Sequence, residues 1–371
     1  MCKIHNTIGS LNDIQYHLDY NRIDEFKSID ELINFRINYH FTQQQVILHH
    51  TERIEKEKVT LEKEIDGLHD SILMIRTALQ KLLKRRLITL YKQIDDLPLP
   101  GSKVIPILQD YYFNLIIWLQ IWFMQISYPF KVFVVKQKLK NILLKKNKRF
   151  NFITANFIDA VNHSSLLQLQ TLQQQKIIID QINNSIYGAI GEQKVVNMLK
   201  NLPDDYVLIN DFNYSFHPPL YYKKENNYIK SIQIDHLLIA PCGVFIIETK
   251  NWSEESIHNP NLFSPVKQIN RTNFALFKIL TDEMSKLNLN SLKHHWGNRK
   301  IPIRNIIVFI NNKPREVFQF TKILSLTELL PYIKYFVPSF TNDETQNITD
   351  LLMTISNKRK QSNLIVSITT H

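Results

Sequence analysis

Three charged side chains stand within an otherwise apolar stretch of the chain, Ile232 to Trp252. They are Asp235, Glu248 and Lys250, and the surrounding residues have the pattern of two strands joined by a tight turn at APCG. Side chains alternate between the two faces of a strand, so Glu248 and Lys250 leave the same face. An antiparallel pairing centred on the turn places position 235 opposite position 248. The pattern therefore predicts that two carboxylates and one amine converge.

This combination of groups indicates metal-dependent chemistry. Two carboxylates held close together repel each other unless a cation neutralises them. Mg²⁺ (or Mn²⁺) prefers oxygen ligands and suits a carboxylate pair together with water and phosphate oxygens. The carbonyl of Thr249 is a further candidate ligand, and Lys250 would orient or deprotonate a metal-bound water and offset charge on a phosphate. The alternative is a plain salt bridge of Lys250 with Glu248 or Asp235 at a strand end.

The elements that must position these residues lie in the C-terminal half of the chain. From Tyr187 onward the pattern predicts a helix, three strands, a second helix, a further strand and a final helix, which is typical of an α/β domain with helices covering one sheet. Residues 213–231, between the first two strands, are longer than such a connection needs. We expect them to form a substrate-facing loop or a disordered insertion.

Two stretches of this half resemble a known family. The sequence YGAIGEQKV, followed by IQIDHLLIAPCGVFIIETKNW, is similar to the nuclease-related domain (NERD) family, which is grouped with the PD-(D/E)xK nucleases that include restriction enzymes and Holliday-junction resolvases. The similarity is clearest from Tyr187 to Phe309, and the family domain is expected to reach about residue 336. The resemblance implies a restriction-endonuclease-like αβββαβ core, to which residues 1–186 contribute nothing.

The resemblance also implies roles for individual residues. The acid of the first helix would point into the site and bind a metal ion or water, and a glutamine on the second helix would complete the set. The implied catalytic residues are Glu192, Asp235, Glu248, Lys250 and Gln268. The implied metal ligands are Asp235, Glu248, Thr249 and Glu192.

Glycines and histidines near these residues have simpler interpretations. Gly188 and Gly191 would let the first helix lie close to the sheet, because glycine has no Cβ. His236 alternates to the face opposite Asp235, and we expect it to be packed or hydrogen-bonded rather than a ligand. The pair at positions 294 and 295 lies in a basic stretch that is expected to be a solvated loop.

The first hundred residues have a helical pattern with an a/d heptad repeat. The repeat predicts either an antiparallel helical hairpin within one chain or a coiled-coil homodimer through residues 54–82. The apolar positions are Ile54, Leu61, Ile65, Leu68, Ile72, Ile75, Leu79 and Leu82.

A second segment of the N-terminal half is unusually apolar. Tyr111 to Phe130 contains no charged residue and is rich in tryptophan and tyrosine, and eight Lys or Arg residues follow before position 150. This pattern favours membrane contact through residues 111–149, in an interfacial or re-entrant rather than a spanning arrangement. An ordinary buried helix is the alternative. The resulting organisation is a coiled-coil region at 1–100, the apolar and basic segment at 101–150, a helical connector at 151–186 and the nuclease-type domain at 187–371.

Composition is compatible with a nucleic-acid partner. The net charge is +11, and the two cysteines, Cys2 and Cys242, lie far apart without other metal ligands, which favours a reducing compartment. We expect a Mg²⁺-dependent endonuclease that acts on DNA rather than RNA, in the cytoplasm or at the cytoplasmic face of the inner membrane, and in defence against foreign DNA such as that of phage. The alternative is a membrane-associated coiled-coil scaffold whose nuclease-like fold binds nucleic acid or a protein without cleaving.

Overall fold

The structure is a computed structural model that describes residues 1–96, 104–252, 264–286, 293–294, 297–298 and 301–367. Contacts divide the chain into two units. One combines Met1–Tyr39 with Gln173–His371, and the other is His40–Leu172. This division differs from the sequence-based one, because the first 39 residues pack with the α/β domain instead of with the helical half.

The elements follow one another in the expected mixture of long helices and then alternating strands and helices. The helices are α1 (Gly9–Tyr20), α2 (Ile29–Ile37), α3 (Tyr39–Asp95), α4 (Val104–Ala155), α5 (Phe157–Gln181), α6 (Asn183–Leu199), α7 (Ser264–Lys286), α8 (Leu326–Lys334) and α9 (Asn342–Ile355). The strands are β1 (Lys3–His5), β2 (Val207–Tyr222), β3 (Asn227–Ala240), β4 (Gly243–Lys250), β5 (Lys293–His294), β6 (Gly297–Asn298), β7 (Ile303–Phe309) and β8 (Thr321–Ser325).

Six of these strands form one mixed sheet in the order β1-β2-β3-β4-β7-β8. The strands β2, β3 and β4 are joined as antiparallel neighbours, whereas β1, β7 and β8 each lie parallel to the strand that they join. The α/β domain expected after Tyr187 is therefore confirmed, as is the helical N-terminal half. The edge strand β1 was not expected, since the sequence pattern gave residues 1–186 no part in this domain.

The turn between β3 and β4 has the predicted register. Ala240 pairs with Gly243, and His236 pairs with Ile247, so Asp235 continues the ladder opposite Glu248. Gly243 has a φ of +131°, and a Cβ there would lie 2.6 Å from the carbonyl oxygen of Pro302. The turn therefore needs glycine at this position to fix the register.

The connection between the first two core strands differs from the expectation. Residues 213–231 are neither a loop nor a disordered insertion, because β2 and β3 continue through them as a long antiparallel hairpin with a short 3₁₀ turn at Lys223–Glu225. The register of the two strands shifts between Ser215 and Leu220. Apolar and polar residues do not alternate regularly in this stretch, so the sequence pattern did not predict the strands.

Two apolar layers enclose the sheet. The first contains buried residues of α1, α2, α6 and α8, and it includes Leu238, Phe245 and Ile247 of the sheet. The second contains α7 and α9, and it includes Leu237 and Ile246. Both faces of the central strands are thus covered, which explains why β3 and β4 are almost uniformly apolar around the three charged residues.

In the other unit, α3 and α4 run antiparallel to each other. Arg149 donates two hydrogen bonds to Glu57 at 2.8 and 3.0 Å, and Lys146 forms an ion pair with Glu64 at 2.6 Å. Further along, the Tyr128 hydroxyl donates to the backbone carbonyl of Arg76 at 3.2 Å. The heptad repeat therefore packs within one chain as a helical hairpin, and a homodimer through residues 54–82 stays a prediction.

The packing seam departs from the predicted one at its distal end. Ile54 and Leu61 are buried as expected, but Leu82 is 61 % exposed. The half-buried Leu83 takes its place on the seam, and the buried Leu90 follows one heptad later. The straight helix drifts relative to a strict seven-residue repeat, and this moves the inward position by one residue.

The apolar segment at 111–130 lies within α4. The interpretation as an ordinary buried helix is wrong, because Tyr111, Trp122 and Phe130 are each more than 60 % exposed. Among the helices of the described residues, none has the combination of length and hydropathy that a membrane-crossing helix requires.

The hairpin predicts a clear difference between two apolar substitutions in α3. Ile54 is 1 % exposed in a cluster with Ile153 and Val161, so Ile54→Asp should lower the thermal midpoint of the helical unit and reduce its helicity, at a cost of about 3 kcal/mol or more. Leu82→Asp should change neither quantity measurably. Thermal circular dichroism of the full chain gives both values, and equal losses for the two variants would contradict this packing.

Candidate active site

The side chains implied as catalytic all line one cavity of about 840 Å³ in the α/β unit. They are Glu192, Asp235, Glu248, Lys250 and Gln268. The cavity is also lined by residues that the sequence analysis did not identify. They come from α1, from β3 and from the segments that follow β4 and β7. These are Gly9, Ser10, Asp13, Gln233, Asn251 and Asn311.

In this cavity, the interior of β3 and the end of β4 bring Asp235, Glu248 and Lys250 together. The Lys250 ammonium donates to Glu248 Oε1 at 2.6 Å, and the Thr249 backbone N–H donates to Asp235 Oδ2 at 2.9 Å. Glu248 is buried, and Lys250 is largely enclosed, with 21 % of its side chain exposed. The convergence that alternation predicted is therefore present, and the Lys250–Glu248 salt bridge is part of it.

Burial and neighbouring charges shift the pKa values of Asp235 and Lys250. Burial raises the pKa of Asp235 well above its ordinary value, and the charges of Glu248 and Glu192 raise it further. Burial alone would lower the pKa of Lys250, but attraction from Glu248 and Asp235 outweighs it and leaves that pKa raised. Lys250 is thus a fixed cation at neutral pH, and Asp235 is a carboxylate that lacks sufficient compensating charge.

Glu192 reaches the cavity from α6 and is held by α1. The Ser10 hydroxyl donates to Glu192 Oε1 at 2.5 Å, and the Ser10 backbone N–H donates to Oε2 at 3.3 Å. Burial raises the pKa of Glu192 to about 7, although both hydrogen bonds from Ser10 lower it. Ser10 is 182 residues away in sequence, and no local pattern signals this contact.

The glycines of α6 have two different neighbours. A Cβ at Gly191 would lie 3.1 to 3.3 Å from atoms of Asn251, Ile310 and Thr249, so this glycine does allow the helix to approach the sheet. A Cβ at Gly188 would lie 2.8 Å from the Ser10 hydroxyl. Gly188 therefore makes room for α1 and not for the sheet, which is a correction to the sequence-based interpretation.

Helix α1 is fastened to the sheet by a buried polar network around Asp211. This carboxylate accepts hydrogen bonds from Asn12 at 2.8 Å, Gln233 at 2.9 Å and Arg359 at 3.1 Å. Arg359 also pairs with Asp13 at 2.6 Å. The C-terminal segment thereby holds the first turn of α1 in place beside the cavity.

The remaining candidates occupy less central positions. Gln268 lies on the exposed side of α7 and still lines the cavity. His236 is fully buried on the opposite face, where its Nδ1 contacts Asn210 Oδ1 at 2.8 Å and burial lowers its pKa to about 3, so it is a neutral packed residue as expected. The side chains of His294 and His295 lie outside the described residues.

The donor set identifies which residues could hold a cation. In the part of the chain that the structure describes, no three His, Cys, Asp or Glu side chains are grouped closely enough to form a metal cluster. Asp235 and Glu248 form a pair instead, and each has only one oxygen engaged by a described hydrogen-bond donor. Two carboxylates with free oxygens, beside an open cavity, suit a hard divalent ion that keeps several waters.

Two carboxylates and a lysine from neighbouring strands of the mixed sheet thus line one cavity. Residues 187–310 match the model of the NERD family, the nuclease-related domain. The match confirms the resemblance seen in the sequence and covers about a third of the chain. Neither the curated proteins nor the solved structures gave a match.

The raised pKa of Glu192 predicts how stability depends on pH. Its folded pKa of about 7 lies above its ordinary value of 4.5, so the wild type loses stability as pH rises from about 4.5 to 7. Glu192→Gln removes this titration. The free energy of unfolding of the variant should therefore rise relative to the wild type by about 3 kcal/mol across that window. Urea unfolding with EDTA present, at several pH values, measures the difference, and parallel curves would contradict it.

The hydrogen bonds from Ser10 predict a second pH effect. The hydroxyl bond favours the ionised form of Glu192 and is lost in Ser10→Ala, so this variant should raise the pKa of Glu192 above about 7. The variant should accordingly lose more unfolding free energy at pH 8 than at pH 5. Ser71→Ala removes a hydroxyl that donates to a backbone carbonyl, and it should cost the same at both values. If Ser10→Ala lost the same unfolding free energy at both pH values, the hydrogen bond would not stabilise the ionised form of Glu192.

Proposed function

We propose that this protein is a metal-dependent nuclease that hydrolyses phosphodiester bonds, with DNA as the expected substrate and internal cleavage as the expected mode. The family match supports a nuclease-related role. The observation that carries the proposal is the convergence of Asp235, Glu248 and Lys250 at one cavity within the matched region. A binding module would gain nothing from buried carboxylates that repel a phosphate backbone.

Asp235 and Glu248 are the residues that would hold Mg²⁺ or Mn²⁺. The raised pKa of Asp235 reflects uncompensated negative charge, and a bound cation would relieve it. When bound, such an ion polarises a phosphate oxygen and lowers the pKa of a coordinated water. The Thr249 carbonyl, between the two strand-end side chains of β4, is the third ligand that we propose.

Lys250 acts in this proposal as a cation and not as a base. Its raised pKa keeps the amine protonated at neutral pH, and its ammonium is already fixed by Glu248 at 2.6 Å. A positioned ammonium can stabilise the negative charge that develops on a phosphate during hydrolysis. The sequence allowed a role in deprotonating water, which this electrostatic setting disfavours.

Glu192 and Gln268 complete the proposed site from two helices. Glu192, with a pKa near 7, can exchange a proton with water near neutral pH, and Ser10 fixes its orientation. Gln268 lines the cavity from its exposed side, where it would contact substrate. The net charge of +11 favours a polyanionic substrate. A cytoplasmic role against foreign DNA fits this chemistry and forms part of the proposal.

Substitution of the carboxylates tests the proposal directly. Glu248→Gln and Asp235→Asn should each lower cleavage of plasmid DNA by about 100-fold or more, because either change removes a metal-binding charge. Lys250→Met should lower the rate with a smaller effect on the Mg²⁺ concentration needed. The measurement is gel-based cleavage of supercoiled, linear and single-stranded DNA and of RNA, with Mg²⁺, Mn²⁺ or EDTA.

Glu316→Gln is the matched control, because Glu316 is an exposed acid that does not line the cavity. It should cleave like the wild type, and thermal circular dichroism should show that all the variants are folded. Should the wild type cleave no substrate with either metal, or Glu248→Gln cleave equally well, the nuclease proposal fails. Binding without cleavage would then favour the scaffold alternative.

A further inference from the structure

One face of α4 is apolar and uncovered in the helical unit. Its residues recur at intervals of three and four, which places them on one side of the helix, and their exposed fractions are 53 to 70 %. We call this face the α4 stripe. Its members are Tyr111, Leu115, Leu119, Trp122, Ile126 and Phe130.

The stripe is not part of the packing between α3 and α4. Ile121, which is 2 % exposed, and Tyr128, whose hydroxyl bonds to the Arg76 carbonyl, lie on the side of α4 that contacts α3. They are seven residues apart and point away from the stripe at 3.6 residues per turn. The stripe therefore extends for about 28 Å along the solvent side of the hairpin.

An exposed apolar surface of this extent marks a contact site in soluble proteins. The composition of the stripe favours a lipid bilayer as the partner. Tryptophan and tyrosine mixed with aliphatic residues are typical of the boundary between lipid headgroups and acyl chains. The stripe itself carries no charge, since no Asp, Glu, Lys or Arg occurs from residue 111 to residue 130.

Positive charge accompanies the stripe on both helices of the hairpin. On α3, five cations lie between positions 81 and 92 with no acidic residue among them, and Arg85 and Arg86 line a groove with Gln120 and Phe123 of α4. All five are exposed: Lys81, Lys84, Arg85, Arg86 and Lys92. On α4 itself, the stripe is followed by Lys131, Lys136, Lys138 and Lys140, which are also exposed. The contact surface thus combines an apolar centre with a basic border.

We propose that the α4 stripe and its basic border dock in the plane of an anionic phospholipid bilayer. The apolar residues would lie at the acyl boundary, while the Lys and Arg residues contact the headgroups. Charge complementarity favours this partner over a second copy of the chain. Two copies joined through the stripe would bring their basic borders together, and these would repel each other.

Flotation of the full-length protein with lipid vesicles tests the proposal. The wild type should partition onto vesicles that contain phosphatidylglycerol at least about tenfold better than onto phosphatidylcholine vesicles. Leu119→Ser combined with Trp122→Ser should lower this binding about tenfold. Lys84→Glu combined with Arg85→Glu should remove the preference for anionic lipid. High salt should weaken wild-type binding, since exposed charges are screened.

Val317→Ser combined with Tyr335→Ser is the matched control. Both residues are at least 80 % exposed, and they lie in the other unit, so vesicle binding should not change. Absence of wild-type binding to anionic vesicles, or equal binding by the stripe variant, would overturn the proposal. If light scattering showed that the wild type is a dimer and the Leu119→Ser, Trp122→Ser variant a monomer, the stripe would be an interface between two copies of the chain. DNA cleavage does not enter these readouts, so they are independent of the proposed nuclease activity.

Discussion

The α/β unit depends on how it compensates three carboxylates that line one cavity. The charges of Glu192, Asp235 and Glu248 repel one another, and burial raises the pKa of Glu192 and of Asp235. The compensation comes from the ammonium of Lys250, the backbone N–H of Thr249 and two hydrogen bonds from Ser10. Lys250 and Thr249 lie at the end of β4, and Ser10 lies in the first turn of α1. This excess of negative charge is the reason for proposing that the site holds a cation.

The region matched by the NERD family is smaller than the unit that forms the cavity. Residues 187–310 contain the carboxylates and Lys250, but β1, α1 and the C-terminal segment complete the structure around them. Asp211 links these parts, because its carboxylate accepts hydrogen bonds from Asn12 of α1 and from Arg359 of the C-terminal segment. The orientation of Glu192 thus depends on residues from both ends of the chain.

The two units differ in how much of their apolar surface is buried. In the α/β unit both faces of the central strands are covered by helices, whereas the hairpin leaves a continuous aromatic and aliphatic face on α4. The ion pair Arg149–Glu57 lies at the same end of the hairpin as the buried cluster of Ile54, Leu61 and Ile153. Solvent-exposed ion pairs contribute little stability, so packing of Ile54 and its neighbours carries most of it. The α4 stripe makes no packing contribution to this stability, so it remains accessible for the proposed contact with a bilayer.

The sequence by itself determined the centre of the site. The period-two alternation around Asp235, Glu248 and Lys250, with one glycine turn between the strands, fixes their register, because a slip of one residue would reverse every side chain. It also determined the α/β and helical halves. Only the tertiary structure decided what surrounds the site. The contact of Ser10 with Glu192, the role of Gly188 and the Asp211 network join residues that are up to about 350 positions apart, and no local periodicity encodes such pairs. The seam at Leu83 instead of Leu82 was likewise decided by packing, since the strict heptad repeat favours Leu82 but the straight helix turns Leu83 toward α4.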